Sequence, residues 1–282
     1  MAQTALILGS GSAGQRHKAL LEEAGIEAFF HDRVWGVLPE TVDMAFVCTP
    51  TVRHISDAIW CVEHGWPVFM EKPIGCSLHR LDELIGLSQV RRVPVYVGYV
   101  LNLHPAIQRL GELSLEEEIL WAKISCCTRL SAWPGRGKRE SYSKYEALGG
   151  GALLDLSHEL YYAEYALGPV ESVTGVRVGV SAETVDTDDL CEITLRHSDG
   201  LFSQIHLDLC SATESRGWEV CLASGEIITV AIDTSDRAMA PVWRDQRDYF
   251  LANLAFPRMT GDLIACAPLY RKIIKFREEG LS

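Results

Sequence analysis

Short apolar runs alternate with amphipathic segments in the first third of the chain. Residues 5–8 are apolar and lead into a glycine turn, and residues 15–24 then show helical spacing. The same alternation predicts four more strands and two more helices, at 27–31, 44–48, 67–70 and 93–99 and at 54–64 and 78–87. Short buried strands that alternate with helices predict a parallel sheet covered on both faces.

The pattern changes after about residue 113. From residue 120 onward, runs such as LCEITLRHS and LFSQIHLDL are typical of antiparallel strands. One helix is predicted over 151–167, after three consecutive glycines, and a last helix over 263–279. The two patterns predict two domains, one over residues 1–118 and one over residues 119–282.

Composition and charge restrict the possible partners. The 282 residues include 26 Lys and Arg against 38 Asp and Glu, a formal charge of −12. Because binding to a phosphate backbone depends on basic residues, no nucleic acid is expected as a partner. The nine cysteines show no zinc-type spacing, so we expect reduced thiols. The chain begins without a basic signal-peptide region and has no apolar run that could span a bilayer, so a cytoplasmic protein with no membrane partner is expected.

The strongest local motif is residues 9–14, GSGSAG, between the first predicted strand and the first predicted helix. In this context Gly9 permits the tight turn, Gly11 lets the backbone approach a pyrophosphate, and Gly14 allows the helix to pack closely on the strand. Amide groups at a helix N-terminus hold phosphate whatever the net charge of the protein. The motif therefore predicts dinucleotide binding rather than an accidental glycine turn.

Asp32 follows the second predicted strand, close to the roughly 20-residue spacing at which an acidic residue binds the adenosine ribose. A carboxylate there favours NAD(H) because it accepts from the 2′-hydroxyl and repels a 2′-phosphate. The adjacent Arg33 would accommodate that phosphate, so NADP(H) stays open. The alternative is a solvent-exposed Asp-Arg pair in a turn.

The triplet Glu71-Lys72-Pro73 follows the fourth predicted strand. It therefore lies at a carboxyl end of the sheet, where ligands of open α/β folds bind. The Lys72 ammonium can donate to a substrate oxygen and take part in proton transfer. The alternative is an ordinary surface ion pair.

Five motifs occur together in one order and spacing: GSGSAGQRH, CTPTVRH, EKP, GYVLNLHP and GGGALLDLSHEL. With them the chain resembles, over nearly its whole length, the glucose-fructose oxidoreductase/inositol dehydrogenase family, also written Gfo/Idh/MocA. The resemblance implies an α/β fold with an N-terminal Rossmann dinucleotide-binding domain and a C-terminal α+β domain with a large, mostly antiparallel sheet. It also implies an NAD(P)-dependent enzyme acting on a sugar, cyclitol or nucleotide-sugar-like alcohol or ketone, and a homodimer or homotetramer built on that sheet.

The resemblance assigns roles to individual positions. It implies Lys72 as the catalytic lysine and Asp155 as the aspartate of the second domain. It implies that the cofactor contacts are Gly9, Gly11, Gly14, Thr49, Pro50, His54 and Glu71.

The proton-transfer residue is open between two neighbours. The family commonly has a histidine four residues after the aspartate, whereas here His158 is the third residue after Asp155 and Glu159 is the fourth. On a continuous helix both positions return to the face of Asp155. We favour His158 because a neutral imidazole is the better base near neutral pH, with a partly buried structural histidine as the alternative.

Two departures from the family pattern remove charge from the expected substrate pocket. Asn102 stands where relatives often have arginine, and Tyr161 stands where aspartate often follows HEL. Candidate substrate contacts are Tyr99, Asn102, Arg139, Tyr142 and Glu159.

His206 and Asp208 share one face of a predicted strand. We interpret them as a cross-strand polar pair and assign no metal.

Two other functions fit the same fold. One is a cofactor-bound sensor without turnover, which would tolerate Asn102 and Tyr161. The other is an NAD-assisted glycosidase in which the cofactor is recycled.

Overall fold

The structure, a computed structural model, describes residues 3–31, 38–133, 141–255 and 261–280. The chain divides into two compact units. The first unit comprises Met1–Tyr99 and Trp243–Pro268, and the second comprises Val100–Val242 and Leu269–Ser282. This division differs from the two domains expected from the sequence, because residues 100–118 join the second unit and a late segment returns to the first.

The first unit is built on a five-stranded parallel sheet, as the sequence predicted. The strand order is β2-β1-β3-β4-β5. The strands are β1 Thr4–Leu8, β2 Glu27–His31, β3 Met44–Val47, β4 Val68–Met70 and β5 Val95–Val97. The helices are α1 Ser12–Glu23, α2 His54–Glu63 and α3 Leu81–Arg91. Every residue of β1, β3, β4 and β5 is buried, as expected for strands covered on both faces.

A helix that the sequence did not predict, α7 Asp236–Ala252, completes the core of the first unit. Its Phe250 is fully buried and packs edge-on against Phe46 and Phe69, with ring centroids 5.4 and 5.5 Å away. The amide of Gln246 also donates to the Tyr96 hydroxyl at 3.2 Å. These contacts are the physical reason why the late segment belongs to the first unit.

The second unit is built on a six-stranded sheet in the order β11-β10-β6-β9-β8-β7. The strands are β6 Ile119–Arg129, β7 Val170–Val178, β8 Leu190–His197, β9 Phe202–Asp208, β10 Cys210–Leu222 and β11 Ile227–Ala231. The remaining helices are α4 Pro105–Glu116, α5 Ala152–Asp155, α6 His158–Leu167 and α8 Leu263–Glu278. The pairing of β6 with β9 is parallel, and the other described pairings of this sheet are antiparallel. The expectation of a mostly antiparallel sheet is confirmed.

Helices cover one face of this sheet. Helix α6 contacts β6 and β9, and α4 packs on α6. The Trp218 indole donates to the Ala106 carbonyl at 3.0 Å, which holds α4 in the second unit. The opposite face is open, since β9 alternates buried residues with the more exposed Phe202, Gln204 and His206.

The described helices include none that combines the length and the apolar character needed to cross a membrane.

Candidate active site

The three glycines of the GSGSAG loop have three different surroundings in the first unit. A Cβ atom on Gly9, which has a φ of +100°, would lie 2.4 Å from the Cys48 carbonyl oxygen. A Cβ atom on Gly14 would lie 2.0 Å from the Gly9 carbonyl oxygen. A Cβ atom on Gly11 would meet no described atom within 4 Å. Gly9 and Gly14 are therefore required by packing, whereas Gly11 borders open space.

The N-terminus of α1 fits a dinucleotide diphosphate. Among the described residues no side chain caps it, and its first turn holds no acidic residue. The Gln15 amide makes the first helical hydrogen bond, to the Gly11 carbonyl at 2.9 Å. The preceding amides thus remain for an anion at the positive end of the helix.

A cavity of about 280 Å³ opens beside this helix end. It is lined by Gly9, Ser10, Phe30, His31, Thr49, Pro50 and Arg53. These residues follow or end β1, β2 and β3, which is the edge where open α/β sheets bind ligands. The geometry fits a bound NAD.

Three of the expected site residues, Asp32, Arg33 and Arg139, lie outside the described residues. The preference for NAD over NADP therefore stays a prediction. Arg53 also lines the cavity, although it was not among the site residues expected from the sequence. Its Nε lies 3.3 Å from the Asp57 carboxylate. The i,i+4 spacing of this Arg-Asp pair on a predicted helix was the available signal.

His54 connects two loops of the site. It is buried, and its Nδ1 and Nε2 lie 2.7 and 2.8 Å from the carbonyl oxygens of Pro73 and Thr49. Burial lowers the pKa of His54 and outweighs the two carbonyls, which raise it. A neutral ring donates to one carbonyl at a time. His54 thus positions the loops that follow β3 and β4.

Glu71 anchors the EKP triplet to the phosphate-binding helix. Its Oε1 accepts from Arg16 Nη2 at 2.9 Å and lies 2.8 Å from His17 Nε2, both on α1. Burial alone would raise the pKa of Glu71, but the hydrogen bond from His17 and the charges of Arg16, His17 and Lys72 lower it well below its ordinary value. The half-buried Lys72 is therefore attached to a loop that α1 holds in place.

The Glu71→Gln variant should lose less stability than the unmodified chain when the pH is lowered. The folded-state pKa of Glu71 lies below its ordinary value of 4.5, so its ionised form stabilises the fold above about pH 4.5, and this contribution disappears as the pH falls through the folded-state pKa. At pH 7 we expect the variant to be less stable by about 1–3 kcal/mol, because the charged hydrogen bonds are weakened.

Thermal unfolding followed by circular dichroism from pH 7 to pH 3 measures this difference. The melting temperature of the unmodified chain should fall more steeply in acid than that of Glu71→Gln. Glu27→Gln, at an exposed position of β2, is the matched control. Parallel acid profiles for the unmodified chain and Glu71→Gln contradict the prediction.

In the second unit two of the three consecutive glycines, Gly150 and Gly151, allow close packing before α5. A Cβ atom on Gly150 would lie 2.4 Å from the Ser143 carbonyl, and one on Gly151, at a φ of +106°, would lie 2.5 Å from Thr187 Oγ1. The buried Asp188 accepts from the Leu153 amide at 2.7 Å and so fixes the start of α5. This segment places Asp155 at the end of α5.

Asp155 is buried, and the Tyr142 hydroxyl donates to its Oδ1 at 3.3 Å. The structure thus brings together Asp155, which the resemblance assigned, and Tyr142, a candidate substrate contact. Of the other expected substrate contacts, Tyr99 is buried in the first unit and Asn102 is half-buried in the second.

The single helix predicted over 151–167 is wrong. It is two helices, because α5 ends at Asp155 and α6 begins at His158. Leu156 leaves the helical region with φ −101° and ψ 25°, and the Glu159 amide bonds to the Leu156 carbonyl three residues back. The i+3 and i+4 argument that linked His158 and Glu159 equally to Asp155 does not hold across this break.

His158 and Glu159 have different surroundings. Glu159 is fully buried, and its Oε1 lies 2.8 Å from Arg216 Nε on β10. His158 is only partly buried. The carboxylate that occupies the family's usual position is therefore engaged in a buried ion pair.

Both units match models of one protein family. Residues 3–99 match the model described as "Oxidoreductase family, NAD-binding Rossmann fold", and residues 119–228 match the "GFO/IDH/MocA C-terminal domain". The chain belongs to the Gfo/Idh/MocA family. This Gfo/Idh/MocA protein therefore carries an NAD-binding domain as its first unit.

Two curated relatives of the Gfo/Idh/MocA chain carry the names of enzymes. It is 28% identical over 168 residues to 2,7-anhydro-N-acetylneuraminate hydratase of Mediterraneibacter gnavus, which covers 58% of this chain and 45% of the relative. It is 35% identical over 71 residues to UDP-N-acetylglucosamine 3-dehydrogenase of Acidithiobacillus ferrooxidans, which covers 25% of this chain and 23% of the relative. The chain thus spans less than half the length of these curated relatives.

A solved structure confirms the fold over almost the whole chain. The crystal structure of GenD2 from gentamicin A biosynthesis, in complex with NAD, superposes with a TM-score of 0.84 at 18% identity. The superposition covers 99% of this chain and 93% of that one.

Proposed function

We propose that this chain is an NAD-dependent oxidoreductase that acts on an alcohol or ketone carbon of a sugar-like molecule, such as a nucleotide sugar. The observation that carries the proposal is the connection between Glu71 and α1. The helix whose N-terminus fits the diphosphate also holds, through Arg16 and His17, the loop that bears Lys72. Two side-chain contacts thereby join the helix at the expected cofactor site to the loop that bears Lys72.

The proposed chemistry divides between cofactor and protein. Bound NAD would supply hydride transfer at the nicotinamide. The Lys72 ammonium donates a hydrogen bond to the reacting oxygen of the substrate and polarises it. His158 takes the hydroxyl proton in the oxidation direction and returns it in the reduction direction, and Asp155 is the residue expected to assist it.

His158→Ala should lower kcat by about 100-fold, the lower end of the usual contribution of a general base. Glu159→Gln should lower stability instead, because it weakens the buried pair with Arg216. Steady-state kinetics across pH and urea unfolding separate the two effects. If the pH profile of kcat loses its acid limb in His158→Ala, the result supports His158 as the proton-transfer residue. If His158→Ala keeps a normal rate and Glu159→Gln loses its rate, the proton transfer belongs to Glu159.

A substrate screen tests the proposed function directly. Mass spectrometry of the copurified cofactor is followed by a panel of sugars, cyclitols and UDP-sugars, read by nicotinamide absorbance and by product mass. A change in both readouts is expected for a net oxidoreductase. If the chain carries one equivalent of cofactor but converts no member of the panel, the result supports the cofactor-bound sensor and counts against turnover.

A redox-neutral reaction is the second candidate function. The similarity to a protein named a hydratase favours it, because that name describes no net oxidation. A new product without a net change in nicotinamide absorbance identifies this case, and a released sugar identifies the glycosidase. A cytoplasmic location stays a prediction.

We also propose a homodimer or homotetramer built on the open face of the six-stranded sheet. Phe202 is 51% exposed on this face, and with Trp121 it lines a cavity of about 500 Å³. A second copy of the same face would cover this apolar surface.

Phe202→Glu should shift the chain to a monomer by weakening an apolar contact of about 1.5–3 kcal/mol per subunit. Analytical ultracentrifugation measures the change. Val90→Glu on α3, which places the same charge at an 84% exposed apolar residue of the first unit, should leave the assembly unchanged. A Phe202→Glu variant that keeps the sedimentation coefficient of the unmodified chain contradicts this interface.

A further inference from the structure

Three side chains with metal-binding chemistry meet on the open face of the second unit's sheet. Cys127 lies on β6, and His206 and Asp208 lie on β9. One donor atom from each residue lies within 4.8 Å of the donors of the other two. The parallel register places Cys127 directly opposite Asp208, and His206 precedes Asp208 by two residues on the same face.

A neighbouring carboxylate orients His206. Glu192 lies opposite His206 on β8, and its Oε1 is 2.6 Å from His206 Nδ1. Because a carboxylate accepts the Nδ1 proton, the neutral ring keeps its lone pair on Nε2. Nε2 lies 4.0 Å from Asp208 Oδ2, too far for a hydrogen bond. A hydrogen bond donated by the far ring nitrogen to a carboxylate is the usual support of a metal-binding histidine.

Asp208 is also held in place. Its Oδ1 accepts from the amides of Cys210 and Ser211 at 2.5 and 3.1 Å, and its Oδ2 accepts from the Ser211 hydroxyl at 2.6 Å. Oδ2 retains a lone pair after this bond. The carboxylate is therefore positioned by the turn after β9 before any ligand arrives.

We propose that Cys127 Sγ, His206 Nε2 and the Asp208 carboxylate bind a transition-metal ion, with Zn²⁺ the best match. Sulfur, imidazole nitrogen and carboxylate oxygen are together the donor set of zinc, whereas Mg²⁺ and Ca²⁺ prefer oxygen alone. Zinc bond lengths of about 2.0–2.3 Å place tetrahedral donors roughly 3.3–3.7 Å apart, so small side-chain rotations close the site.

The site lies on the sheet face that the proposed assembly would cover, and it has one coordination position left. His206 and Glu192 line an open cavity of about 520 Å³ on the same face. Three protein ligands leave the fourth tetrahedral position to water or another ligand. The ion would link β6 to β9, so it would stabilise the parallel pairing in the middle of the sheet. The sequence analysis interpreted His206 and Asp208 as a cross-strand polar pair, and the pairing that brings Cys127 beside them appears only in the fold.

Metal titration of the full, untagged and chelator-stripped chain tests the site. Calorimetry with Zn²⁺ should give one equivalent, and Co²⁺ should produce a thiolate-to-metal charge-transfer band that Zn²⁺ abolishes. X-ray absorption of the zinc-loaded chain should show one sulfur among nitrogen and oxygen neighbours. A coordination shell without sulfur, or a Co²⁺ spectrum without the thiolate band, overturns the proposal. Both measurements use the unmodified chain, so they do not depend on the folding of any variant.

Variants identify the ligands. Cys127→Ala and His206→Ala should each weaken Zn²⁺ binding by more than about 100-fold, and Glu192→Gln by about 10- to 100-fold, as expected for a supporting residue. Cys221→Ala removes another partly exposed thiol on β10 and should leave binding unchanged. Circular dichroism verifies folding, and Cys127→Ser replaces the alanine variant if that one unfolds. Zn²⁺ affinities of the Cys127 and His206 variants within about threefold of the unmodified chain overturn the assignment.

Discussion

Lys72→Ala should lower turnover by about 1000-fold or more while NAD binding stays nearly unchanged. In the proposed reaction Lys72 stabilises charge on the reacting oxygen, and that charge develops only in the transition state, so its loss lowers kcat rather than cofactor affinity. The loop itself should persist, because Glu71 and His54 hold it through bonds to α1 and to the loop after β3.

The measurement combines steady-state turnover of a substrate found in the screen with NAD titration followed by fluorescence. Lys275→Ala, on the exposed side of α8, is the matched control and should keep full turnover. If Lys72→Ala turns over normally with that substrate, the assigned role of Lys72 is lost while NAD binding by the first unit is unaffected. If both fall together, Lys72 holds the cofactor.

Local patterns in the sequence were enough to predict the five-stranded sheet and the first three helices of the first unit. Its strands are short and, apart from β2, apolar and buried. The context of Gly9, Gly11 and Gly14 depends only on the strand before and the helix after them. The parallel sheet and the dinucleotide edge follow from such neighbouring signals. The bounds of β2 agree to the residue.

Contacts between distant segments were not predictable in this way. Phe250 and Gln246 reach the core of the first unit from a helix whose own pattern does not indicate its partner, and Gln246 meets Tyr96 across 150 residues. The parallel pairing of β6 with β9 likewise brings Cys127 to Asp208. Sequence spacing carries no information on which strands pair, so these groupings appear only in the fold.

The roles of single site residues were partly predictable. The resemblance placed His54 and Glu71 in the cofactor site, and the geometry shows that each joins loops through buried hydrogen bonds. The break between α5 and α6 could not be read from the helical period, because Leu156 and Ser157 are compatible with a helix. It removes the helix-face argument that related His158 and Glu159 equally to Asp155.

Gly11→Ala and Gly14→Ala should separate cofactor binding from folding. At Gly14 the new Cβ would lie 2.0 Å from a backbone oxygen, a clash that no side-chain rotation can relieve. We therefore expect the free energy of unfolding to fall by several kcal/mol, more than the usual overpacking cost of about 1–3 kcal/mol. At Gly11, with φ −70° and open space around the Cβ position, alanine is sterically free and the melting temperature should not change.

The same methyl group at Gly11 would occupy the place where the backbone approaches the diphosphate. Losing one or two charge-assisted amide bonds of about 1.5–3 kcal/mol each lowers NAD affinity by about 100-fold. Thermal unfolding and NAD titration of both variants, with Gly86→Ala on α3 as a control that also meets open space, measure the separation. Undiminished NAD affinity in a folded Gly11→Ala chain would show that the diphosphate does not bind beside Gly11. Gly11 is the only described glycine of this loop with room for a ligand, so the diphosphate would then bind elsewhere.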